Sequence, residues 1–194
     1  MSEQTPLPEV TDSELLLRAH VFEVVRSSVR FPDGREVERM VVRHPGAVAL
    51  IAIDGEGRWL LVRQYRHPTG QELLEIPAGT LEPGEEPHAT AARELREETG
   101  FAAASLERIG GAWTAPGFCD EYMHFYLATS LRPDPLPQDE DEGISAPVAM
   151  TFDELQAAID DGAIEDGKTL AAVTLWRRYT ERTARRVGSG TSRT

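Results

Sequence analysis

The segment that most constrains this chain of 194 residues is GTLEPGEEPHATAARELREETGF, residues 79–101. Pro87 suits the first turn of a helix, where a backbone N–H has no intrahelical partner. Gly100 suits the position just past the last turn, and Phe101 can make the closing apolar contact. The segment therefore predicts a loop rich in Gly and Pro followed by a helix over residues 87–99, although no common N-cap residue precedes it.

The predicted helix concentrates negative charge on one side. Glu94, Glu97 and Glu98 stand at i, i+3 and i+4, a spacing that points their side chains the same way. Like charges at this spacing destabilise a helix by a few tenths of a kcal/mol. One interpretation is an acidic face in water. The other is a metal site for Mg²⁺ or Mn²⁺, which take hard oxygen ligands, with the backbone carbonyl of Ala78 as a further ligand.

Composition and charge exclude several other classes of function. Cys119 is the single cysteine, which excludes an internal disulfide and a zinc site with several thiolates. The formal net charge of -13 makes nucleic acids and membrane surfaces poor partners. An anionic small substrate would therefore need cations. No apolar run approaches the roughly 20 residues of a membrane span, and the acidic N-terminus does not resemble a signal peptide, so we expect a cytoplasmic protein.

Strand and turn signals dominate the chain on both sides of this segment. Asp33-Gly34 and Asp54-Gly55 each join two β-rich runs, as expected for hairpins. Two further runs rich in aromatic and β-branched residues predict strands after the helix. Thr151 and Glu154 have the spacing of a capping box, and a second helical pattern follows from residue 168. We therefore expect an α+β fold.

The segment also matches a known family signature, G-x5-E-x7-R-E-U-x-E-E-x-G-U, in which U is a bulky apolar residue. The matching residues are Gly79, Glu85, Arg93, Glu94, Leu95, Glu97, Glu98, Gly100 and Phe101. The chain thus resembles the Nudix hydrolases. This resemblance implies an α/β/α sandwich with a mixed sheet, here with a small N-terminal antiparallel β-sheet, and hydrolysis of a pyrophosphate bond with a divalent metal.

The composition of the two chain ends and the resemblance together predict an organisation of the chain, and the resemblance implies roles for its residues. We expect a flexible N-terminus (1–13), an N-terminal β-sheet region (14–44), the Nudix hydrolase domain (45–183) and a flexible basic tail (184–194). The implied metal ligands are Glu94, Glu97, Glu98 and the carbonyl of Ala78, for Mg²⁺ or else Mn²⁺. Arg93 and Glu85 would orient these ligands through ion pairs, and Arg93 and Glu97 count among the candidate catalytic residues.

Features outside the segment resemble the ADP-ribose pyrophosphatase branch of this family. That branch has a strand arginine and a glutamate before the first Gly of the signature, matched by Arg66 and Glu75. It also has a proline about 15 residues after the signature, matched by Pro116. These three are the candidate substrate-binding residues. Glu75 is equally consistent with a strand-end carboxylate paired with Arg66.

The loop QDEDEG is the third feature that resembles this branch. The branch places there a glutamate that positions or deprotonates the attacking water and, two residues later, a second glutamate on the metal. Glu140 and Glu142 are therefore the candidate catalytic acids, with Glu142 also a candidate metal ligand. Asp139 and Asp141 remain alternatives. A solvated acidic loop between prolines would have the same composition.

The resemblance implies Mg²⁺-dependent hydrolysis of ADP-ribose, or a related nucleoside diphosphate sugar, to AMP and a sugar phosphate. The alternatives are a Nudix hydrolase for another diphosphate, such as a dinucleotide or GDP-mannose, and a module that binds ADP-ribose without cleaving it. In this branch the extra N-terminal sheet commonly exchanges between two subunits. The resemblance therefore also implies a homodimer.

Overall fold

The computed structural model of this chain describes residues 6–137 and 145–190. They form two compact units. One unit combines the N-terminal residues up to Gly46 with Trp113–Tyr122. The other combines Ala47–Ala112 with the chain from Met123 onward.

The first unit contains an antiparallel sheet in the order β1-β2-β3. Its strands are β1 (Glu9–Arg18), β2 (Glu23–Arg30) and β3 (Glu36–Arg43). The turn between β2 and β3 contains Gly34 with φ 85°, a conformation that glycine adopts without steric cost. The hairpin predicted around Asp33-Gly34 is therefore confirmed.

Strand β1 corrects the expectation for the N-terminus. It begins at Glu9, so residues 9–13 are part of a sheet and the predicted loose end is wrong for them. The register runs from Glu9 opposite Arg30 to Arg18 opposite Glu23. Backbone hydrogen bonds to β2 order this stretch, and such bonds leave no signature in side-chain composition.

The second unit contains, among the described residues, a sheet of seven strands. The strands are β4 (Ala47–Ile53), β5 (Trp59–Arg66), β6 (Gln71–Glu75), β7 (Ala78–Thr80), β8 (Phe101–Trp113), β9 (Tyr122–Pro133) and β10 (Val148–Met150). The main order is β10-β5-β4-β9-β8, while β6 pairs with β5 and β7 pairs with β4. Strands β4 and β9 are parallel, whereas β4 and β5 are antiparallel. The sheet is therefore mixed, as expected.

Helices cover both faces of this sheet, and they are α1 (Pro87–Thr99), α2 (Phe152–Asp160) and α3 (Gly167–Gly190). Val48 and Leu50 of β4 pack in one apolar cluster with Leu95 of α1. Ala49 and Ile51 of the same strand pack in a second cluster with residues of α2 and α3. Because successive side chains of a strand point to opposite faces, β4 is the central layer of an α/β/α sandwich.

The helix ends follow the sequence signals closely. Helix α1 spans the predicted residues 87–99 and is terminated by Gly100, whose φ is 76° and whose N–H donates to the carbonyl of Arg96. Glu86 at its N-cap makes no side-chain capping bond, as its residue type suggested. Thr151 and Glu154 form the predicted capping box of α2.

Helix α3 corrects the expectation for the C-terminus. It continues to Gly190, so the predicted flexible tail is wrong for residues 184–190. Ala184, Arg185 and Arg186 are strong helix formers, and this propensity extends the helix beyond the last apolar positions. No helix in the described ranges has both the length and the apolar character that crossing a membrane requires.

Candidate active site

The acidic helix α1 lies unusually close to the backbone of β7. Both elements contact the central strand β4, which fixes their relative position. A Cβ atom added to Gly79 would overlap the carboxylate of Glu94. Position 79 therefore requires glycine because the Glu94 side chain fills the space that any other side chain would need.

Glu98 is tied to the same short strand. Its Oε2 accepts a hydrogen bond of 2.9 Å from the backbone N–H of Ala78, and the residue is 2% exposed. Glu94 is 5% exposed. Burying a carboxylate is unfavourable unless hydrogen bonds or opposite charges compensate it, so the hydrogen bond from the backbone of β7 helps to stabilise the charge of Glu98.

Arg93 supplies the opposite charge next to these glutamates. Its Nη1 donates to Glu94 at 2.8 Å and to Glu97 at 2.7 Å, and its Nε and Nη2 donate to Glu85 at 3.3 and 3.2 Å. The hydrogen bond from Arg93 lowers the pKa of the Glu85 carboxyl, although partial burial opposes this. Burial also disfavours the charged guanidinium, but the surrounding glutamates raise the pKa of Arg93 above its usual value.

The structure groups the glutamates differently from the sequence prediction. Glu94 and Glu97 meet at Arg93, whereas the bond described for Glu98 is to the β7 backbone. In residues 6–137 and 145–190, no three acidic, His or Cys side chains surround one point as metal ligands. The guanidinium of Arg93 is the cation that the chain itself places between Glu94 and Glu97.

The donor set nevertheless fits a divalent cation chemically. Four carboxylates against one guanidinium leave a formal charge of three negative units on Glu85, Arg93, Glu94, Glu97 and Glu98. All four acidic groups present hard oxygen atoms, which suit Mg²⁺ or Mn²⁺. Arg93 occupies some of these oxygens, so the guanidinium and a metal would share the carboxylates.

A second charged cluster lies at the ends of β5 and β6. Arg66 binds Glu75 through two hydrogen bonds of 2.8 Å, as the sequence suggested. Lys168 of α3 also donates to Glu75 and was missed in the sequence analysis. Glu75 and Lys168 are 93 positions apart, so no spacing rule joins them. One feature of the sequence could have drawn attention to this residue: Lys168 is the single lysine among the 20 Lys and Arg residues.

The predicted acidic loop QDEDEG lies entirely outside the described residues. Asp139, Glu140, Asp141 and Glu142 all fall in the gap between 137 and 145. The residues that flank this gap are anchored within the second unit. The N–H of Leu136 donates to the carbonyl of Arg96 in α1, and the N–H of Ser145 donates to the carbonyl of Arg63 in β5.

Pro116 lies in the connection between β8 and β9, which belongs to the first compact unit. The N–H groups of Phe118 and Cys119 both donate to the carbonyl of Ala115, so the segment around Pro116 forms a tight turn. This agrees with the turn expected from Pro116 and Gly117. A substrate-binding role for Pro116 stays a prediction.

Comparison with known protein families identifies the family to which this chain belongs. The model of the NUDIX domain matches residues 42–173, more than half of the chain. The chain belongs to the Nudix family. The family predicted from residues 79–101, and the class of enzyme, a Nudix pyrophosphatase, are thereby confirmed.

Among the proteins similar to this chain, one is named as an activator of another enzyme and two are named as hydrolytic enzymes. The methanol dehydrogenase activator of Bacillus methanolicus is 41% identical over 163 residues, covering 83% of this chain and 88% of that protein. The ADP-ribose pyrophosphatase of Bacillus subtilis strain 168 is 38% identical over 162 residues, covering 82% and 87%. A crystal structure of an ADP compounds hydrolase has a TM-score of 0.79 at 26% identity, covering 95% of this chain and 100% of that one. The Nudix fold and the similarity to ADP-ribose pyrophosphatases are confirmed.

Replacing Gly79 by alanine should destabilise the fold. The added methyl group would force the Glu94 carboxylate or the β7 backbone to move, which typically costs about 1–3 kcal/mol. Gly55 is a matched control because its surroundings are open and its φ is not positive, so Gly55→Ala should change the unfolding free energy by less than about 0.5 kcal/mol. Chemical denaturation measures both values, and equal midpoints for the two variants would contradict the close approach.

The ion pair between Glu85 and Arg93 should make stability depend on pH. Because the folded-state pKa of Glu85 is lowered, its contribution is complete above the ordinary pKa of 4.5 and is lost as the pH falls through the folded value. Glu85→Gln should therefore be less stable than the wild type by about 1 kcal/mol at pH 7. The difference should shrink in denaturation experiments below pH 4. A constant difference would exclude the ion pair as its source, and Glu181→Gln on the exposed side of α3 is the control.

Proposed function

We propose that this chain hydrolyses the pyrophosphate bond of ADP-ribose, or of a closely related nucleoside diphosphate sugar, in a Mg²⁺-dependent reaction that gives AMP and a sugar phosphate. The observation that carries the proposal is the pair of buried carboxylates, Glu94 and Glu98, held against the backbone of Gly79 and Ala78. An ordinary acidic surface would place such groups in water. Their burial supports a site that compensates charge.

The glutamates of α1 have a defined task in this proposal. Glu94, Glu97, Glu98 and the carbonyl of Ala78 would hold Mg²⁺, and Glu142 would add a ligand from the loop. Bound Mg²⁺ would supply positive charge for the diphosphate oxygens and lower the pKa of a water molecule. Arg93 would keep Glu94 and Glu97 oriented through the hydrogen bonds described above.

The remaining candidate residues would act on the water and on the substrate. Glu140 or Glu142 would accept the proton of the attacking water, with Asp139 and Asp141 as alternatives. Arg66 would bind a phosphate or a ribose-linked oxygen, because its Nη1 takes no part in the bidentate bond to Glu75. Pro116 would shape the substrate site. Arg66 is partly exposed, which supports its availability to a ligand.

The names of the relatives support the substrate class and also define the rivals. Similarity to the ADP-ribose pyrophosphatase of Bacillus subtilis favours ADP-ribose. The methanol dehydrogenase activator matches 83% of this chain at 41% identity, against 82% at 38% for the pyrophosphatase, so overall identity does not select one substrate. A panel that contains ADP-ribose, GDP-mannose and a dinucleotide separates the rivals by their kcat/KM. Tight binding of ADP-ribose without turnover in Mg²⁺ or Mn²⁺ would instead indicate a binding module.

Incubation of the wild type with ADP-ribose and Mg²⁺ should release AMP, measured by chromatography. Glu98→Gln keeps the shape of the side chain but removes its charge, so the rate should fall about 100-fold or more. Glu181→Gln, a change of the same kind on the exposed side of α3, should leave the rate unaltered. Mg²⁺ should also raise the Tm of the wild type more than that of Glu98→Gln, since ligand binding stabilises the folded state.

Two results would argue against this assignment. Absence of AMP with Mg²⁺ and with Mn²⁺ would remove ADP-ribose as the substrate. An unchanged Tm on addition of either metal would indicate that the glutamates of α1 bind no ion.

The N-terminal sheet supports a homodimer as the active form. Every residue of β1 is exposed in the single chain, and these residues include Val10, Leu15, Leu16 and Leu17. Clustered exposed aliphatic side chains commonly mark an interaction surface. A second copy of this chain, contributing its own N-terminal sheet, is the partner that the proposed relationship to ADP-ribose pyrophosphatases favours.

Sedimentation equilibrium tests the dimer. The wild type should have twice the monomer mass of 21.4 kDa, and Leu15→Glu with Leu17→Glu should shift it to the monomer because buried unpaired charges oppose association. Thr174→Glu with Ala184→Glu adds the same charge to the exposed side of α3 and should leave the mass unchanged. A monomeric wild type at micromolar concentration would refute the proposal.

A further inference from the structure

Lys168 occupies an unusual position for a lysine. Its side chain is 10% exposed, and its ammonium contacts two acidic residues. One contact is to Oε2 of Glu75, and the other is to Oδ1 of Asp166 at 3.2 Å. Every other cationic side chain among the 20 Lys and Arg residues is an arginine, so the single lysine stands where a compact ammonium lies between two carboxylates.

Glu75 connects this lysine to the candidate substrate-binding arginine. Glu75 is 1% exposed, and its two oxygens accept three hydrogen bonds from cationic groups, two from Arg66 and one from Lys168. A buried carboxylate requires such compensation. Arg66 and Lys168 therefore share the charge of Glu75, and a change at one cation alters how strongly Glu75 holds the other.

The charges alternate along this cluster of four side chains. Arg66, which is 37% exposed, binds Glu75, Glu75 binds Lys168, and Lys168 binds Asp166, so the four formal charges cancel. Without Lys168 the same cluster would carry one net negative charge. A diphosphate that approaches Arg66 would then meet a repulsive field, and Arg66 would be the one cation left on Glu75 in this cluster.

Burial lowers the pKa of Lys168 to about 7, and the positive charge of Arg66 acts in the same direction. The carboxylates of Glu75 and Asp166 oppose this change, because opposite charges at hydrogen-bond distance favour the charged form. The charge of this ammonium therefore depends on the balance between its burial and its two acidic neighbours.

We propose that Lys168 is a positioning residue for substrate binding, which shares the buried carboxylate of Glu75 with Arg66 and so keeps the guanidinium of Arg66 available to the substrate diphosphate. This inference rests on the proposed function, since it assigns Arg66 to the substrate. It adds a residue of α3 to a site otherwise built from β5, β6, β7 and α1.

Thr169 provides a control for simple anchoring of α3. Its Oγ1 accepts a hydrogen bond of 3.0 Å from the N–H of Ile76 and donates one of 2.6 Å to Asp166. Thr169→Val would remove these bonds beside Lys168 while leaving all four charges in place. A structural weakening of this region would therefore appear in Thr169→Val, whereas an electrostatic effect on Arg66 would not.

Steady-state kinetics with ADP-ribose and excess Mg²⁺ test the proposal. Lys168→Met should raise KM on the order of tenfold, the effect of losing one charge-assisted hydrogen bond, and should change kcat less than about threefold. Lys168→Arg keeps a cation and should have a KM closer to that of the wild type. Thr169→Val should lower the Tm without raising KM. An unchanged KM in Lys168→Met, or an equal rise in Thr169→Val, would overturn the proposal.

Crystal structures separate this proposal from the proposed function. If the wild type releases no AMP, the assignment of ADP-ribose fails and the kinetic test does not apply. The structures of the wild type and of Lys168→Met still report the position of Arg66. A shift of the Arg66 guanidinium further onto Glu75 in the variant, so that Nη1 also turns toward the carboxylate that Lys168 has left, supports the coupling, and an unchanged position of the whole guanidinium contradicts it.

Discussion

The contact between the backbone of β7 and the carboxylates of α1 is the constraint on which the site depends. Gly79 has no side chain where Glu94 packs, and the N–H of Ala78 holds Glu98. Both contacts exist because β7 and α1 lie against the same strand, β4. The sandwich therefore converts three residues of backbone into a support for buried acidic groups, whose burial would otherwise be unfavourable.

Two arginines compensate the negative charge of carboxylates in this unit, and they do so in different ways. Arg93 bridges several glutamates and limits their mutual repulsion, so it stabilises the acidic helix itself. Arg66 forms a bidentate pair with a single buried carboxylate, and Lys168 shares that carboxylate through its Oε2 atom. The first arrangement leaves a region of net negative charge on the helix. The second keeps a cation at an edge that an anionic ligand can reach.

Local patterns carried most of the information that the sequence offered. Pro87 and Gly100 delimited α1 correctly, because helix ends are determined by residues within one turn. The spacing of Glu94, Glu97 and Glu98 identified the acidic side of the helix. Lys168 was missed because its partner is distant in sequence, and β1 was missed at residues 9–13 because pairing with β2, not its own pattern, orders it. The grouping of the glutamates around Arg93 depends on side-chain geometry that spacing alone does not determine.

The double coverage of β4 has a consequence for how chains of this kind can diversify. Leu95 closes one face of the core while Glu94 and Glu98, on the same helix, provide acidic groups, so α1 serves packing and chemistry together. A substitution in α1 must therefore preserve both the packing of the core and the acidic groups. The connections at the strand ends contribute little to the core, and they can change length and residue type without uncovering it. Changes in these loops thus leave the packing of the acidic helix against β4 intact.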